Sequence, residues 1–327
     1  MSEFLNNIIA EAKKDKKRIV FPECWDSRII EAATEAKKLG FADPILLTNN
    51  MMTKKDEYAQ ILYELRKEKG MTPEEAMKLL NNPIYYGTMM VKCDDADGMV
   101  AGAATSTKDV LRPAFQIIKT APNSKLVSSV FFMVSPFKEL GDSGVFAYAD
   151  CAIVVNPSAE ELAYIATDTA KTYEQIVGLP ARVAMISYST KGSGEGESVE
   201  KVKEATRIAK ELAPELLLDG ELQVDAALVP EVGKTKAPGS TVAGSANVQI
   251  FPNLDTGNTN CKTAQRVGHC EAIGPIMQGL AKPINDLSRG ATVEDILGVI
   301  AIVVIQAAQR NINKGEQKWT AEQNYAK

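Results

Sequence analysis

At 327 residues, with 45% apolar and 24% charged side chains, the chain exceeds one ordinary core and suits two α/β domains of a globular protein. Its net charge of -5 excludes general binding to nucleic acid or to an anionic membrane, which requires a basic surface. A polyanionic small ligand remains compatible, held by a local cluster of arginines and amides.

The amino terminus lacks the basic and apolar segments of a signal peptide, and no run approaches the roughly 18 apolar residues of a membrane span, so the expected location is cytoplasmic. Cys24, Cys93, Cys151, Cys261 and Cys270 are irregularly spaced, without a Cys-x-x-Cys pair, and indicate neither a zinc site nor a disulfide framework. His269 is the single histidine, which excludes any two-histidine mechanism.

In chain order, apolar residues at Phe4, Leu5, Ile8, Ile9 and Ala12 mark an amphipathic helix, and 18–23 reads as a buried parallel strand. A helix over 27–39 closed by Gly40, a strand over 44–47 and a helix over 57–69 stopped by Gly70 follow. Thr72-Pro73-Glu74-Glu75 opens the next helix with a cap, a proline and first-turn acid. A helix over 85–93 leads through an acidic turn to a strand over 98–103. In the helix begun at Ser106, the Arg112-Pro113 step predicts a distortion.

Strands are expected over 125–134 and 145–156, joined by a turn-rich segment. A helix from 157 to 177 carries a Ser158/Glu161 capping box. The strand 182–188 exits into Ser189-Thr190-Lys191-Gly192-Ser193-Gly194, before a helix over 199–212. Such a turn either wraps an anion with amides, helped by Lys191 and the hydroxyls, or is a plain flexible loop; it matches no standard phosphate-loop spacing. Asp219, Glu221 and Asp225 lie at or beyond the end of the next buried strand. A mobile loop is expected over 233–245, a strand over 247–253, a helix near 263–266 and a small-residue strand or turn over 274–280.

Ser288-Arg289-Gly290 and Asp295 then set a hydroxyl, a guanidinium and a carboxylate near one helix start, where free backbone amides also bind anions. Thr292-Val293-Glu294-Asp295 is equally a variant capping box, and a cap is likewise the alternative for Ser288. The following helix, 293 to about 311, is apolar on all faces and is expected to return to the first domain. The predicted domains are 1–140 plus 286–327, and 141–285.

The chain resembles the phosphate acetyltransferases, which form one family with the phosphate butyryltransferases. The resemblance is carried by Arg18 to Glu23, Ala96 to Ala103, Leu111-Arg112-Pro113-Ala114, Ser189 to Ser193, Asp219 to Ala227, Asn247 to Asn253 and Pro283 to Asp295. It implies two α/β domains with mostly parallel sheets and an interdomain cleft, related to the isocitrate and isopropylmalate dehydrogenases. It further implies reversible acetyl transfer between acetyl phosphate and coenzyme A, by direct thiolate attack in a ternary complex. The family's catalytic aspartate falls on Asp295, its serine on Ser288 and its arginine on Arg289. Its substrate-binding positions fall on Arg112 and Arg66 and on Ser189, Thr190, Lys191, Gly192 and Ser193. Many relatives carry a cysteine after Ser-Arg-Gly, where this chain has Ala291.

Coenzyme A is then a substrate, with no tightly bound cofactor and no metal. A homodimer and metabolic coupling with acetate kinase are implied as well. A phosphate butyryltransferase, or a non-catalytic regulatory or binding domain of this fold, are the alternatives.

Overall fold

The computed structural model describes the backbone of residues 1–122 and 124–325, with side chains of the last helix described to residue 309. Its strands are β1 (Lys17–Phe21), β2 (Ala42–Leu46), β3 (Gly98–Ala101), β4 (Ser128–Val134), β5 (Val145–Ala149), β6 (Arg182–Ile186), β7 (Leu217–Leu222), β8 (Val248–Ile250), β9 (Glu271–Gln278) and β10 (Ile284–Asp286). Its helices are α1 (Glu3–Ala12), α2 (Ser27–Leu39), α3 (Lys55–Arg66), α4 (Pro73–Leu79), α5 (Pro83–Lys92), α6 (Thr107–Pro113), α7 (Ala159–Val177), α8 (Glu197–Leu212), α9 (Val224–Leu228), α10 (Pro230–Lys236), α11 (Leu254–Arg266) and α12 (Val293–Tyr325). No described helix is long and apolar enough to cross a membrane.

The chain divides into two compact units, Met1–Lys119 with Leu280–Lys327, and Thr120–Gly279. Strand pairing explains why these limits differ from 140/141 and 285/286. β4 pairs with β5 and β9, which takes 128–134 into the second unit. β10 pairs with β3, which takes 284–286 into the first.

The first unit holds a parallel sheet in the order β10-β3-β1-β2. α3, α5, α6 and the π turn that follows α6 bury Tyr58, Leu62, Ile84, Met89, Val110 and Ile117 in one core with Val20 and Met99. α12 packs on β1, β3, α1 and α2, and a Cβ at Gly98 would lie 2.6 Å from Val303 Cγ1, so helix and strand meet closely there. The all-round apolarity of its first turns follows, because Ile296, Val299, Ile300, Ile302, Val303 and Val304 are all fully buried.

Local signals set the helix limits. Asp26 caps α2, and Gly40 ends it at φ +79°, a conformation open to glycine at little cost. Thr72 with Glu75 and Ser158 with Glu161 form complete capping boxes. At Pro113 the α-helix passes into a π turn over Ala114–Ile118, the distortion that the missing proline N–H predicts.

The second unit holds a mixed sheet in the order β7-β6-β8-β5-β4-β9, in which β4 runs antiparallel to both neighbours and the other pairs are parallel. Its core joins Phe131, Met133, Phe146, Ile186 and Leu222 to Ala227 and Cys261 of α9 and α11.

Two expectations need correction here. The strand expected to reach 156 stops at Ala149, because the buried Asp150 carboxylate accepts the N–H groups of Ala152, Ile153 and Val154 and curls the chain away. The loop expected over 233–245 begins as helix, since Gly233 to Lys236 belong to α10. Gly233 meets Gly244 so closely that a Cβ would fall 2.6 Å from the Gly244 nitrogen, which ties the segment down.

Candidate active site

In the first unit, the carboxyl ends of β1, β3 and β10 lie side by side, the edge at which open α/β sheets present ligand-binding groups. Past the end of β1, Glu23 turns inward and is 0% exposed. Its Oε2 accepts the N–H groups of Gly102 (2.7 Å) and Ala103 (2.9 Å), and its Oε1 those of Ala104 (3.0 Å) and Thr105 (2.7 Å). One carboxylate therefore organises the entire turn from β3 to α6. Gly102 stands at φ +104°, and a Cβ there would fall 2.2 Å from Asp286 Oδ1, so glycine is required.

β10 carries the chain into Ser288, Arg289 and Gly290, all exposed. The Leu287 N–H donates to the Ala101 carbonyl (2.7 Å), extending the β3 to β10 pairing by one step. The turn then closes as the Ala291 N–H donates to the Ser288 carbonyl (2.9 Å). Thr292 starts α12: its N–H donates to Asp295 Oδ2 (2.9 Å), and the Asp295 N–H donates to Thr292 Oγ1 (3.2 Å). Asp295 is thus engaged in a reciprocal capping box through one oxygen, and its side chain is half-buried.

A residue with no sequence-based expectation holds this turn in place. Arg28 Nη1 donates to the carbonyls of Arg289 (2.8 Å) and Ala291 (2.9 Å), and its Nη2 donates to the Ala103 carbonyl (2.8 Å). The other side of its fork binds Asp26 through Nε (3.1 Å) and Nη2 (2.7 Å). Its bond to Asp26, with smaller coulombic help from Glu23, outweighs burial and raises the Arg28 pKa above its ordinary value, so the clamp stays charged.

We expect Arg28→Ala to cost about 2–3 kcal/mol, because three carbonyls and a carboxylate lose a shared donor. Arg28→Lys should recover only part of this, because a point ammonium lacks the planar fork. Urea unfolding of the two variants and the parent measures it, and a loss below about 0.5 kcal/mol for both would remove the clamp.

Arg66 ends α3 and Arg112 sits on α6, and both charges act on Tyr85. Burial raises the Tyr85 hydroxyl above its ordinary pKa, and the two arginines pull it back. The Tyr85 hydroxyl donates to Gln116 Oε1 at 2.9 Å. Neither arginine forms an ion pair with a carboxylate among the described residues, and the buried Nε of Arg66 lacks a hydrogen-bond acceptor. Asp109 also acts on Tyr85, more weakly than the two arginines, and two guanidiniums without an ion-pair partner suit an anionic ligand. α6 is also tied to the Ser288 turn, since Thr107 Oγ1 donates to Asp286 Oδ2 at 2.6 Å. Arg112 stands five residues further along, about 7.5 Å up the helix axis.

The remaining expected residues lie in the second unit, in the turn after β6. Ser189 Oγ donates to Glu221 Oε1 (2.9 Å), and so does the Gly192 N–H (2.7 Å). Lys191 Nζ binds Asp219 Oδ1 (2.6 Å) and the Gly220 carbonyl (2.9 Å). Thr190 Oγ1 accepts the Gln223 N–H (2.9 Å), and the Thr190 N–H donates to Ser193 Oγ (2.9 Å). Burial alone would raise the carboxyls of Asp219 and Glu221, but Lys191 and Ser240 at one, and Gly192 and Ser189 at the other, hold both below their usual range. The turn's amide and ammonium are accordingly matched to internal acids. Asp225 pairs with Lys236 at 2.7 Å. His269 is exposed, in the turn between α11 and β9.

Comparison with known proteins places the chain in a family. The model of the phosphate acetyl/butaryl transferases matches residues 3–304. A phosphate acetyltransferase of Acetivibrio thermocellus is 53% identical over 325 residues, covering 93% of this chain and 98% of that protein. One from Thermoanaerobacterium thermosaccharolyticum is 50% identical, covering 93% and 99%. The crystal structure of a phosphotransacetylase from Streptococcus pyogenes superposes with a TM-score of 0.87 at 43% identity, covering 94% of this chain and 100% of that one. The chain therefore belongs to the phosphate acetyl/butyryl transferase family.

Proposed function

We propose that this chain is a phosphate acetyltransferase, an acyltransferase that moves an acetyl group reversibly between acetyl phosphate and coenzyme A. The observation that carries the reading is identity of 53% and 50% to phosphate acetyltransferases over nearly the full length of both proteins, joined to a Ser288-Arg289 turn and a half-buried Asp295 at one strand edge.

In the direction of acetyl-CoA formation, Asp295 takes the proton of the coenzyme A thiol through the oxygen that its capping bond leaves available. The thiolate attacks the acetyl carbonyl carbon, the C–S bond forms, and the C–O bond to phosphate breaks. The phosphate departs with the electron pair and recovers the proton from Asp295. Ser288 and the adjoining amides stabilise the charge that develops on the carbonyl oxygen, while the exposed Arg289 fork holds phosphate oxygens. No acyl-enzyme is formed, consistent with Ala291 standing where many relatives have a cysteine.

Arg66 and Arg112 take phosphate groups of coenzyme A, which the absence of an ion-pair partner among the described residues and the unpartnered Arg66 Nε support. The Ser189 to Ser193 turn contacts substrate only by exchanging its internal bonds to Glu221 and Asp219, so it contributes less than the arginines. The reading extends to a cytoplasmic homodimer coupled to acetate kinase.

The deciding experiment is release of free thiol from acetyl-CoA on addition of phosphate. Absence of phosphate-dependent release would overturn the assignment. Within it, Arg66→Ala and Arg112→Ala are each expected to raise the KM for coenzyme A about 10- to 100-fold, the loss of one charge-assisted contact. A KM within about twofold of the parent for both would show that they bind something else.

A further inference from the structure

Two carboxyl groups lie buried beside one another beneath the Ser288 turn, and the proposed chemistry uses neither. Glu23 is 0% exposed and Asp286 1%. Their surroundings are unequal. Glu23 accepts four backbone N–H bonds, two at each oxygen. Asp286 accepts one bond, from Thr107 Oγ1, and its Oδ1 is buried without a partner. That oxygen faces the Gly102 backbone, which is itself bonded to Glu23.

Two charges cannot share such a space without a large desolvation penalty, and the one with fewer donors gives way. Burial pushes the Asp286 carboxyl up to about 7, and Glu23 adds to the rise, while the Thr107 hydroxyl and Arg289 oppose it. The charged groups facing Asp286 are Glu23 from the exit of β1 and Arg289 from its own turn. From α6 it meets the Thr107 hydroxyl, and from β3 the Gly102 backbone.

We propose that Asp286 is a positioning residue that acts in its neutral, protonated form, pinning β10 against the Glu23-bound turn and α6 so that Ser288 and Arg289 keep their catalytic placement. Ionisation of the pin sets a second carboxylate against Glu23 and draws Arg289 inward, away from phosphate. The inference rests on the reading that Ser288 and Arg289 contact substrate. Asp286 itself is sealed from solvent and acts only through them.

The sign follows from the raised pKa. The native state holds this proton up to about pH 7, and the unfolded chain releases it in the ordinary carboxylate range, so the associated stability is full at low pH and is lost as pH rises to about 7.

The experiment compares Asp286→Asn, Asp286→Ala and the parent, as full chains, in kcat, KM for acetyl phosphate and urea stability between about pH 6 and pH 8. Asparagine keeps the shape and cannot ionise. Its kcat relative to the parent should rise at least about threefold from pH 6 to pH 8, and its stability relative to the parent should rise up to about pH 7. Alanine should lower kcat about tenfold or more with a smaller change in KM, and show no such pH trend relative to asparagine.

Parallel assays of Ser288→Ala and Arg289→Ala separate the two ideas. If these lose turnover while Asp286→Asn follows the parent at every pH in both readouts, the pin is overturned and the site reading stands. If they retain turnover, the site reading fails and the positioning role fails with it, whatever the stability curves show.

Discussion

Asp295→Asn is expected to lower kcat about 10²- to 10⁴-fold, with thermal stability close to that of the parent. The substitution separates the capping role seen in the structure from the base role proposed for the same side chain. Asp295 Oδ2 accepts the Thr292 N–H at 2.9 Å, a bond that an asparagine carbonyl can also accept. What asparagine cannot do is take a proton from the coenzyme A thiol. Asp295→Ala loses both functions and should add a capping penalty of about 1 kcal/mol, which makes it the weaker test. Single-turnover measurement with acetyl phosphate and coenzyme A reads the chemical step directly. Normal turnover in the asparagine variant would reduce Asp295 to a helix cap.

The largest effect on stability is expected at Glu23. Glu23→Ala removes the acceptor of four N–H groups at once, two of them buried, and should cost about 3–5 kcal/mol in urea unfolding. Glu23→Gln keeps the volume but offers one carbonyl oxygen where there were two carboxylate oxygens. It also turns an amide NH2 towards backbone donors, so it should recover less than half of the loss. Because the same turn meets Arg28 through the Ala103 carbonyl, turnover should fall along with stability. A Glu23→Ala protein with the parent's urea midpoint would mean that water replaces the carboxylate without penalty.

Much of the local structure was legible from the sequence because its causes are local. The period of the apolar residues, the capping boxes at Thr72 and Ser158 and the glycine stop at Gly40 each act within a few residues. The proline at 113 likewise forces its own distortion. The misread segments failed for the opposite reason. The strand expected to 156 is cut short by Asp150, whose carboxylate is also held by Ser129, 21 residues earlier in the chain. Short β10 has too few residues to show a period, and only its pairing with β3 makes it a strand.

By itself, then, the sequence determined the alternation of strands and helices, the helix ends set by local caps at Gly40, Thr72 and Ser158, the family through motif blocks spread from Arg18 to Asp295, and the candidate chemical groups Ser288, Arg289 and Asp295. Tertiary structure alone decided how those groups are held. Glu23 meets its amides 79 to 82 residues away, Thr107 meets Asp286 across 179, and Arg28 meets the 289–291 turn across 261 and 263. The physical reason is the parallel register of β1, β3 and β10. It gathers three distant strand ends at one edge, and burial there gives a glutamate, an aspartate and an arginine roles that no neighbouring residue in the chain reveals.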